Sequence, residues 1–346
     1  MSGYLGNQPV PQATQTRDAF TATAGQTSFS CSGYTPNFLD VFLNGVKLAA
    51  ADYTATNGSD VVLASGAVVN DILEVVAYTT FEIASNTFSA DVTLSDGADL
   101  ITATAGTSNF RAGVNAGNSI VSGGNYNVTV GDEAGTAITT GDQNVAVGYD
   151  ALGSNTTASN NTAVGYNALL ANTEGFSNTA FGSRAGDAIT TGDYNTVVGN
   201  LALSAETTGA ASVAIGHGAL NAQNSTNSAD MYNTAVGTAA GAAVTTGIRN
   251  TLIGGLAGDA ITDADYNIAI GYGSLGANTV GSGSVAIGND SLGNQNPSSA
   301  GTMYNVAVGN NAGNGITTGV NNTLIGALAG DALTDADRNV AIGKTA

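Results

Sequence analysis

The residues best suited to bind a metal ion are two pairs of aspartates. Asp263 and Asp265 are separated by one residue, and Asp335 and Asp337 repeat that spacing 72 residues later. Carboxylates at such a spacing suit Ca²⁺, which prefers oxygen ligands. The two pairs are expected about 19 Å apart in a stacked repeat and so cannot share an ion, and the Gly-Gly-x-Gly-x-Asp phrase of calcium β-rolls is absent. We therefore expect solvated turns here and no metal site.

Few residues could carry out catalysis. A catalytic site brings a base, a nucleophile and an orienting group into one pocket, and His217 is the only histidine. It follows a repeated glycine, where a surface turn is expected. Cys31 is the only cysteine, so the chain has no disulfide framework, and its surroundings indicate a buried small apolar residue. We predict no catalytic residue, no cofactor and no enzymatic activity.

Two further motifs resemble ligand sites without their essential parts. The stretch Gly254–Gly258 lacks the Lys-Ser/Thr step and the helix of a phosphate loop. Thr-Thr-Gly steps, as at Thr190–Gly192 and Thr317–Gly319, resemble the threonine arrays of ice-binding solenoids but recur only in some coils. Both motifs belong instead to a repeat that organises most of the chain.

The repeat is a pentad of the type Asn-Thr-Leu-Ile-Gly. It ends first at Gly131 and last at Gly343, with spacings of 17 residues except for two of 21. Its first residue is Asn in eleven coils and Ser212 or Ser284 in two, its fourth is Val, Ile or Phe, and Ala or Ser stands three residues after the glycine. Such columns are required by parallel strands stacked about 4.8 Å apart, with Asn side chains bonded from coil to coil. The sequence predicts an all-β solenoid, or β-roll.

Two positions in each coil vary together. Where the fourth residue after the pentad glycine is Gly, the seventh is large and apolar, as in Gly135 with Ile138; where the fourth is Leu, the seventh is polar, as in Leu152 with Asn155. All twelve complete coils obey this rule. We interpret the pair as one core slot filled from either side, because filling it twice would cost about 1–3 kcal/mol.

The strands are apolar on both faces, as in Val145–Val147. Apolar residues on both faces indicate burial on both. One face fills the interior of the roll, and the other is expected to meet identical chains around a three-fold axis, which predicts a homotrimer.

Charge and composition narrow the possible partners. The net charge is −19, which disfavours nucleic acid and anionic membranes as partners. No apolar run reaches the length of about 18 residues that spans a bilayer, and the amino terminus lacks a signal peptide. These features predict synthesis in a cytoplasm, with no membrane insertion.

The amino-terminal part has a different pattern. Asn44-Gly45 joins two runs of strand formers, which predicts a hairpin, and Asn57-Gly58 marks a second turn. Short strands continue to Ile72–Tyr78, which indicates a small β-sandwich. We predict an arm at residues 1–16, a sandwich at 17–84, a β-rich neck at 85–126 and the solenoid shaft at 127–346.

Three stretches carry a resemblance to known families. The pentads Asn161–Gly165 and Ser212–Gly216 resemble repeats in the heads of trimeric autotransporter adhesins, and Asn161–Leu169 resembles more closely the repeats of tail fibres from cyanophages and other phages of marine bacteria. The runs Tyr4–Pro9 and Tyr34–Leu48 look like the amino-terminal module of such fibres.

The resemblance implies a structural virion protein located in a tail fibre. Its amino terminus would join phage tail or adaptor proteins, and its distal part would contact a glycan or protein on the host surface. A bacterial adhesin head is the first alternative, although no carboxy-terminal anchor follows the repeats. A fibre enzyme that cleaves surface glycan is the second.

The two 21-residue coils are the candidate receptor contacts. Insertions in solenoids form loops on one face, often the binding face. Both coils end in Met-Tyr-Asn, and Asn-rich loops with Tyr suit glycan hydroxyls. The candidate residues are Met231, Tyr232, Asn233, Met303, Tyr304 and Asn305. A purely structural role, in which Met and Tyr cap a wider coil, is equally compatible with the sequence.

Overall fold

The computed structural model describes residues 15–78, 105–225 and 230–346. In these residues it contains 23 β-strands and no helix, as the sequence predicts. Residues 1–96 and 97–346 form two compact units. The predicted arm, apart from its last two residues, and residues 79–104 lie outside the described parts.

The amino-terminal unit consists of two antiparallel sheets. One has the strand order β1-β7-β3-β4 and the other β2-β6-β5. The strands are β1 (Gln15–Thr21), β2 (Gln26–Ser30), β3 (Leu39–Leu43), β4 (Val46–Lys47), β5 (Tyr53–Thr54), β6 (Asp60–Ala67) and β7 (Ile72–Tyr78).

The two sheets share one apolar core, as in a small β-sandwich. Phe29 and Val61 come from one sheet and Val41, Leu73 and Val75 from the other, and each is at most 1 % exposed. Strand β6 shows why this sequence folds here: its buried residues at 61 and 63 alternate with exposed ones, so one face enters the core.

The predicted hairpin is confirmed. Strands β3 and β4 pair through Leu43 and Val46, and the turn residues Asn44 and Gly45 have φ of 51° and 80°. Two successive positive φ values define the tight turn that Asn-Gly favours. The Asn44 side chain also donates to Asp71 and accepts from the Ile72 N–H, which ties the turn to the start of β7.

The second unit is a parallel β-solenoid. Fourteen strands of three residues form one sheet, all parallel and in register. They are β8 (Phe110–Ala112), β9 (Val128–Val130), β10 (Val145–Val147), β11 (Thr162–Val164), β12 (Thr179–Phe181), β13 (Thr196–Val198), β14 (Val213–Ile215), β15 (Thr234–Val236), β16 (Thr251–Ile253), β17 (Ile268–Ile270), β19 (Val285–Ile287), β21 (Val306–Val308), β22 (Thr323–Ile325) and β23 (Val340–Ile342). Strands β18 (Gly281–Ser282) and β20 (Gly301–Thr302) pair separately.

The solenoid begins one coil earlier than the sequence indicates. The described part of the predicted neck, residues 105–126, forms a coil whose strand β8 pairs with β9. Its glycine, Gly113, lies 18 residues before Gly131, and Arg111 occupies the inward position that elsewhere holds Ala, Val, Leu or Thr. The altered spacing and the charged residue hide this coil from a search for repeats.

Small side chains fill the interior of each coil. The middle strand residue, such as Ala146 or Leu252, and the Ala three residues after the repeat glycine, such as Ala151, are fully buried. The slot rule is confirmed: a Cβ added to Gly135 would lie 2.8 Å from Ile138 Cδ1, so the two positions compete for one space. In the other type of coil, Leu152 occupies that space and Asn155 is buried against a backbone carbonyl.

Stacked turns, rather than a second long sheet, close each coil in the described solenoid. The backbone is left-handed (φ of about +50° to +65°) at three recurring positions: the residue before the pentad, and the second and fourth residues after its glycine. A leucine at the fourth position costs about 1–2 kcal/mol in this conformation. Burying it completely returns about 2–3 kcal/mol. Burial therefore outweighs the backbone strain.

Candidate binding surface

The aspartate pairs serve the stacking of coils. Asp265 Oδ1 accepts the Ile248 N–H at 2.8 Å, and Asp337 Oδ1 accepts the Val320 N–H at 2.8 Å. In both cases the acceptor belongs to the following coil, 17 residues later. Asp263 is exposed and accepts the hydroxyl of its neighbour Thr262. The described residues contain no group of three or more potential metal-ligating His, Cys, Asp or Glu side chains.

The pentad asparagines form the predicted ladder along the axis. The N–H of Asn195 donates to Oδ1 of Asn178 one coil earlier at 2.9 Å, while Asn178 Nδ2 donates to the Gly192 carbonyl at 2.8 Å. Both side chains are fully buried. Each amide therefore satisfies an N–H and a carbonyl that no strand partner reaches.

A glutamine replaces the missing amide in each 21-residue coil. These coils start with Ser212 or Ser284 in place of Asn. Gln223 donates to Ser212 Oγ at 3.0 Å and accepts from Asn233 Nδ2 at 2.8 Å, and Gln295 accepts from Ser284 and from Asn305. Asn233 and Asn305 thus belong to the ladder, with no exposed surface.

The structure divides the six candidate receptor residues into two groups. Met231 and Met303 are 2 % exposed and Asn233 and Asn305 are fully buried, so none of these four side chains presents a surface in the isolated chain. Tyr232 and Tyr304 are 50 % and 59 % exposed. The receptor-contact hypothesis is therefore restricted to the two tyrosines. The sequence could not separate the groups because Met and Asn occur both in cores and in binding loops.

The remaining candidates stand apart from one another. His217 is exposed on the turn after Gly216, as predicted, and its carbonyl accepts the Ala239 N–H. Cys31 is half-buried in the sandwich, where burial, reinforced by the charge of Asp18, raises the pKa of its thiol. A higher pKa disfavours the reactive thiolate.

Glu206 is a buried carboxylate that the sequence did not single out. It is fully buried at the polar slot position of its coil. Its oxygens accept the N–H groups of Thr207, Thr208, Gly209 and Ser225 and the amide of Gln223, at 2.7–3.2 Å. A buried charge needs such a set of donors. The carboxylate thereby joins two neighbouring coils.

The most distinctive surface feature is a column of tyrosines at the residue before the pentad, here called the axial tyrosine column. Its members are Tyr126 (57 % exposed), Tyr194 (60 %), Tyr232 (50 %), Tyr266 (54 %) and Tyr304 (59 %). The coils stack in register here, since the N–H of Arg249 donates to the Met231 carbonyl and that of Tyr266 to the Ile248 carbonyl. Aligning the residues before each pentad would have found this column from sequence.

Arg249 lies between two rings of the column. Its guanidinium carbon is 5.9 Å from the Tyr232 ring centroid and 5.4 Å from that of Tyr266, and its Nη1 donates to the Tyr266 hydroxyl at 2.6 Å. These distances are those of cation–π contacts. One coil thus holds the rings of its two neighbours in place.

Comparisons with known proteins identify no relative. No protein-family model, no curated protein and no solved structure matches the chain. In the described residues, no helix has the length and apolar character of a membrane span. The function is therefore argued from the chain's own surfaces.

Proposed function

We propose that this protein is the shaft and attachment region of a fibrous, homotrimeric appendage, a phage tail fibre, that bridges a virion and a host cell. The amino-terminal sandwich and arm serve attachment to the tail or to an adaptor, and the solenoid projects toward the host surface. The role is mechanical and adhesive.

The observation that supports this proposal most strongly is the outer face of the fourteen-stranded sheet. The residue before each pentad glycine, here called the outer apolar column, is Val, Ile or Phe from Val130 to Ile342. Phe181, Ile253 and Ile325 are 57 %, 36 % and 40 % exposed in the single chain. A continuous apolar stripe of this length is typical of an interface. Three identical chains would cover it by the same contacts in every coil.

The solenoid also has the dimensions of a spacer. Thirteen steps of about 4.8 Å give a length of about 60 Å. Each coil bonds to its neighbours through strand pairing and the asparagine ladder, which favours a stiff rod over a flexible linker.

Electron microscopy of purified virions tests the proposal. An antibody against residues 127–346 is expected to label an appendage of the tail, and an antibody against the sandwich is expected to label its proximal end. Virions free of the protein would contradict the virion assignment. Label on the surface of uninfected bacteria would favour an adhesin head.

A further inference from the structure

The axial tyrosine column has a period of two coils over its distal part. Tyr194, Tyr232, Tyr266 and Tyr304 occupy alternate coils, and the coils between them carry Ala211, Arg249 and Gly283 at the same position. Two coils correspond to about 10 Å along the axis. This distance is close to the length of a disaccharide unit in an extended β-linked polysaccharide, in which every second sugar ring faces the same way.

The backbone at this column does not favour tyrosine. The four residues have φ of 57°, 51°, 59° and 53°, in the left-handed region that bulky residues rarely adopt. Other coils place Asn160, Asn321 or Gly283 here, which are the residue types that this conformation prefers. An exposed ring that strains its backbone and enters no core contributes little to stability, and such strain concentrates at functional sites.

The surroundings of the rings suit a neutral ligand. Arg249 separates the Tyr232 and Tyr266 rings, and Phe176 contacts Tyr194 edge to face at 5.0 Å between centroids. Asp230 accepts the Tyr232 hydroxyl, so a carboxylate lies beside the rings. With a net charge of −19, the chain repels polyanions.

We propose that the axial tyrosine column from Tyr194 to Tyr304 binds a linear, neutral, β-linked polysaccharide laid along the solenoid axis. Alternate sugar rings contact successive tyrosines, since aromatic side chains combine an apolar face with a polar edge. This inference rests on the proposed adhesive function and names the chemical class of its receptor.

Calorimetric titration of the full chain with neutral β-1,4-linked oligosaccharides of increasing length tests the inference. Affinity is expected to rise with each added disaccharide and to level off once the chain spans Tyr194 to Tyr304. The double variant Tyr232→Asn/Tyr266→Asn is expected to bind about tenfold more weakly while melting at the same or a higher temperature, because asparagine suits the left-handed backbone.

Two controls separate the column from tyrosines in general and spacing from composition. Tyr149, Tyr166 and Tyr272 follow repeat glycines on another part of the coil and are equally exposed; their replacement by asparagine, which occurs in that column at Asn200, is expected to leave affinity unchanged. The exchange Arg249→Tyr/Tyr266→Arg keeps the composition but breaks the two-coil period, and is expected to weaken binding as much as the asparagine variant.

Several outcomes would overturn the inference. Equal loss in the control variant, unchanged affinity in the asparagine or exchange variants, or no binding of any length would each do so. A change in oligomeric mass of the asparagine variant would place the column in a subunit interface instead. Binding of the protein to host cells that persists in the asparagine variant would leave the fibre function standing and reject the polysaccharide column alone.

Discussion

The sandwich and the solenoid achieve stability in different ways. In the sandwich, a few large side chains such as Phe29 and Leu73 meet in one core, drawn from strands up to about 50 residues apart. In the solenoid, small residues and buried amides repeat along the axis, and each coil bonds mainly to the coils directly before and after it. The sandwich is therefore expected to respond to a core substitution as a whole, and the solenoid locally.

The largest effect is expected from Phe29→Ala in the sandwich. Removing this fully packed ring should cost about 3–5 kcal/mol of unfolding free energy. Hydrogen exchange should then show loss of protection throughout residues 15–78 and unchanged protection in the solenoid strands. Equal loss in both units would show that they do not fold as separate cores.

A repeat glycine tests local strain in the solenoid. Gly199 has a φ of 136°, and a Cβ there would lie 2.5 Å from the Gly216 carbonyl oxygen. Gly199→Ala should cost about 3–4 kcal/mol in urea unfolding, because the backbone must shift against a neighbouring coil. Gly218→Ala is the matched control: its Cβ would meet nothing within 4 Å, so the cost should be about 1 kcal/mol.

The slot rule predicts a double-mutant cycle. Leu152→Gly should cost about 3 kcal/mol through the cavity that it leaves, and Asn155→Ile about 1–3 kcal/mol through overpacking. The combined variant converts one type of coil into the other and also removes Asn155 Oδ1, a buried atom without a hydrogen-bond partner. Its stability should return to within about 1 kcal/mol of the parent. Simple additivity of the two costs would refute the shared slot.

Gln223→Ala tests the replacement amide of the first long coil. The change deprives buried Glu206, Ser212 and Asn233 of one partner each, which should cost about 2 kcal/mol in urea unfolding. The neighbouring Asn224 is exposed, and Asn224→Ala should cost less than about 0.5 kcal/mol. Similar costs for both variants would argue against a structural role for the glutamine.

The smallest effect concerns pH, and its sign differs between the two units. In the sandwich, hydrogen bonds from Ser30 and Asn57 lower the pKa of Asp60, and Asn44 lowers that of Asp71, from the usual 3.8. Their stabilisation is complete above pH 3.8 and is lost as the pH falls through the folded-state pKa. In the solenoid, burial raises the pKa of Asp150 and of Asp259. That cost is relieved as the pH falls through the raised pKa toward 3.8.

Calorimetric scans between pH 7 and pH 3 would show this difference. The melting temperature of the sandwich is expected to fall at the acid end, while that of the solenoid rises on approach to pH 4. A parallel decline of both transitions would contradict the assignment of these carboxylates.

Sequence patterns were sufficient for features that depend on spacing. Equal intervals predict the stacked coils, the covariation of Gly135-type and Leu152-type positions predicts the slot, and Asn44-Gly45 predicts its hairpin. Each of these follows from one geometric rule applied to residue types.

Features that depend on the direction of a side chain could not be predicted. Spacing does not reveal that Met231 faces the core while its neighbour Tyr232 faces outward. Nor does it show that Asp265 accepts a backbone N–H from another coil, or that Gln223 replaces the amide absent at Ser212. These roles depend on the left-handed turns, which the residue types at those positions do not indicate.

The mass of the native protein in solution tests the central claim most directly, because the outer apolar column can be covered only by other chains. Sedimentation equilibrium of the full chain is expected to give three times the 33.9 kDa chain mass. Lysine at Ile253 and Ile325 is expected to dissociate that assembly. A folded species at the single-chain mass, with the solenoid's amides protected from exchange, would contradict the trimeric fibre.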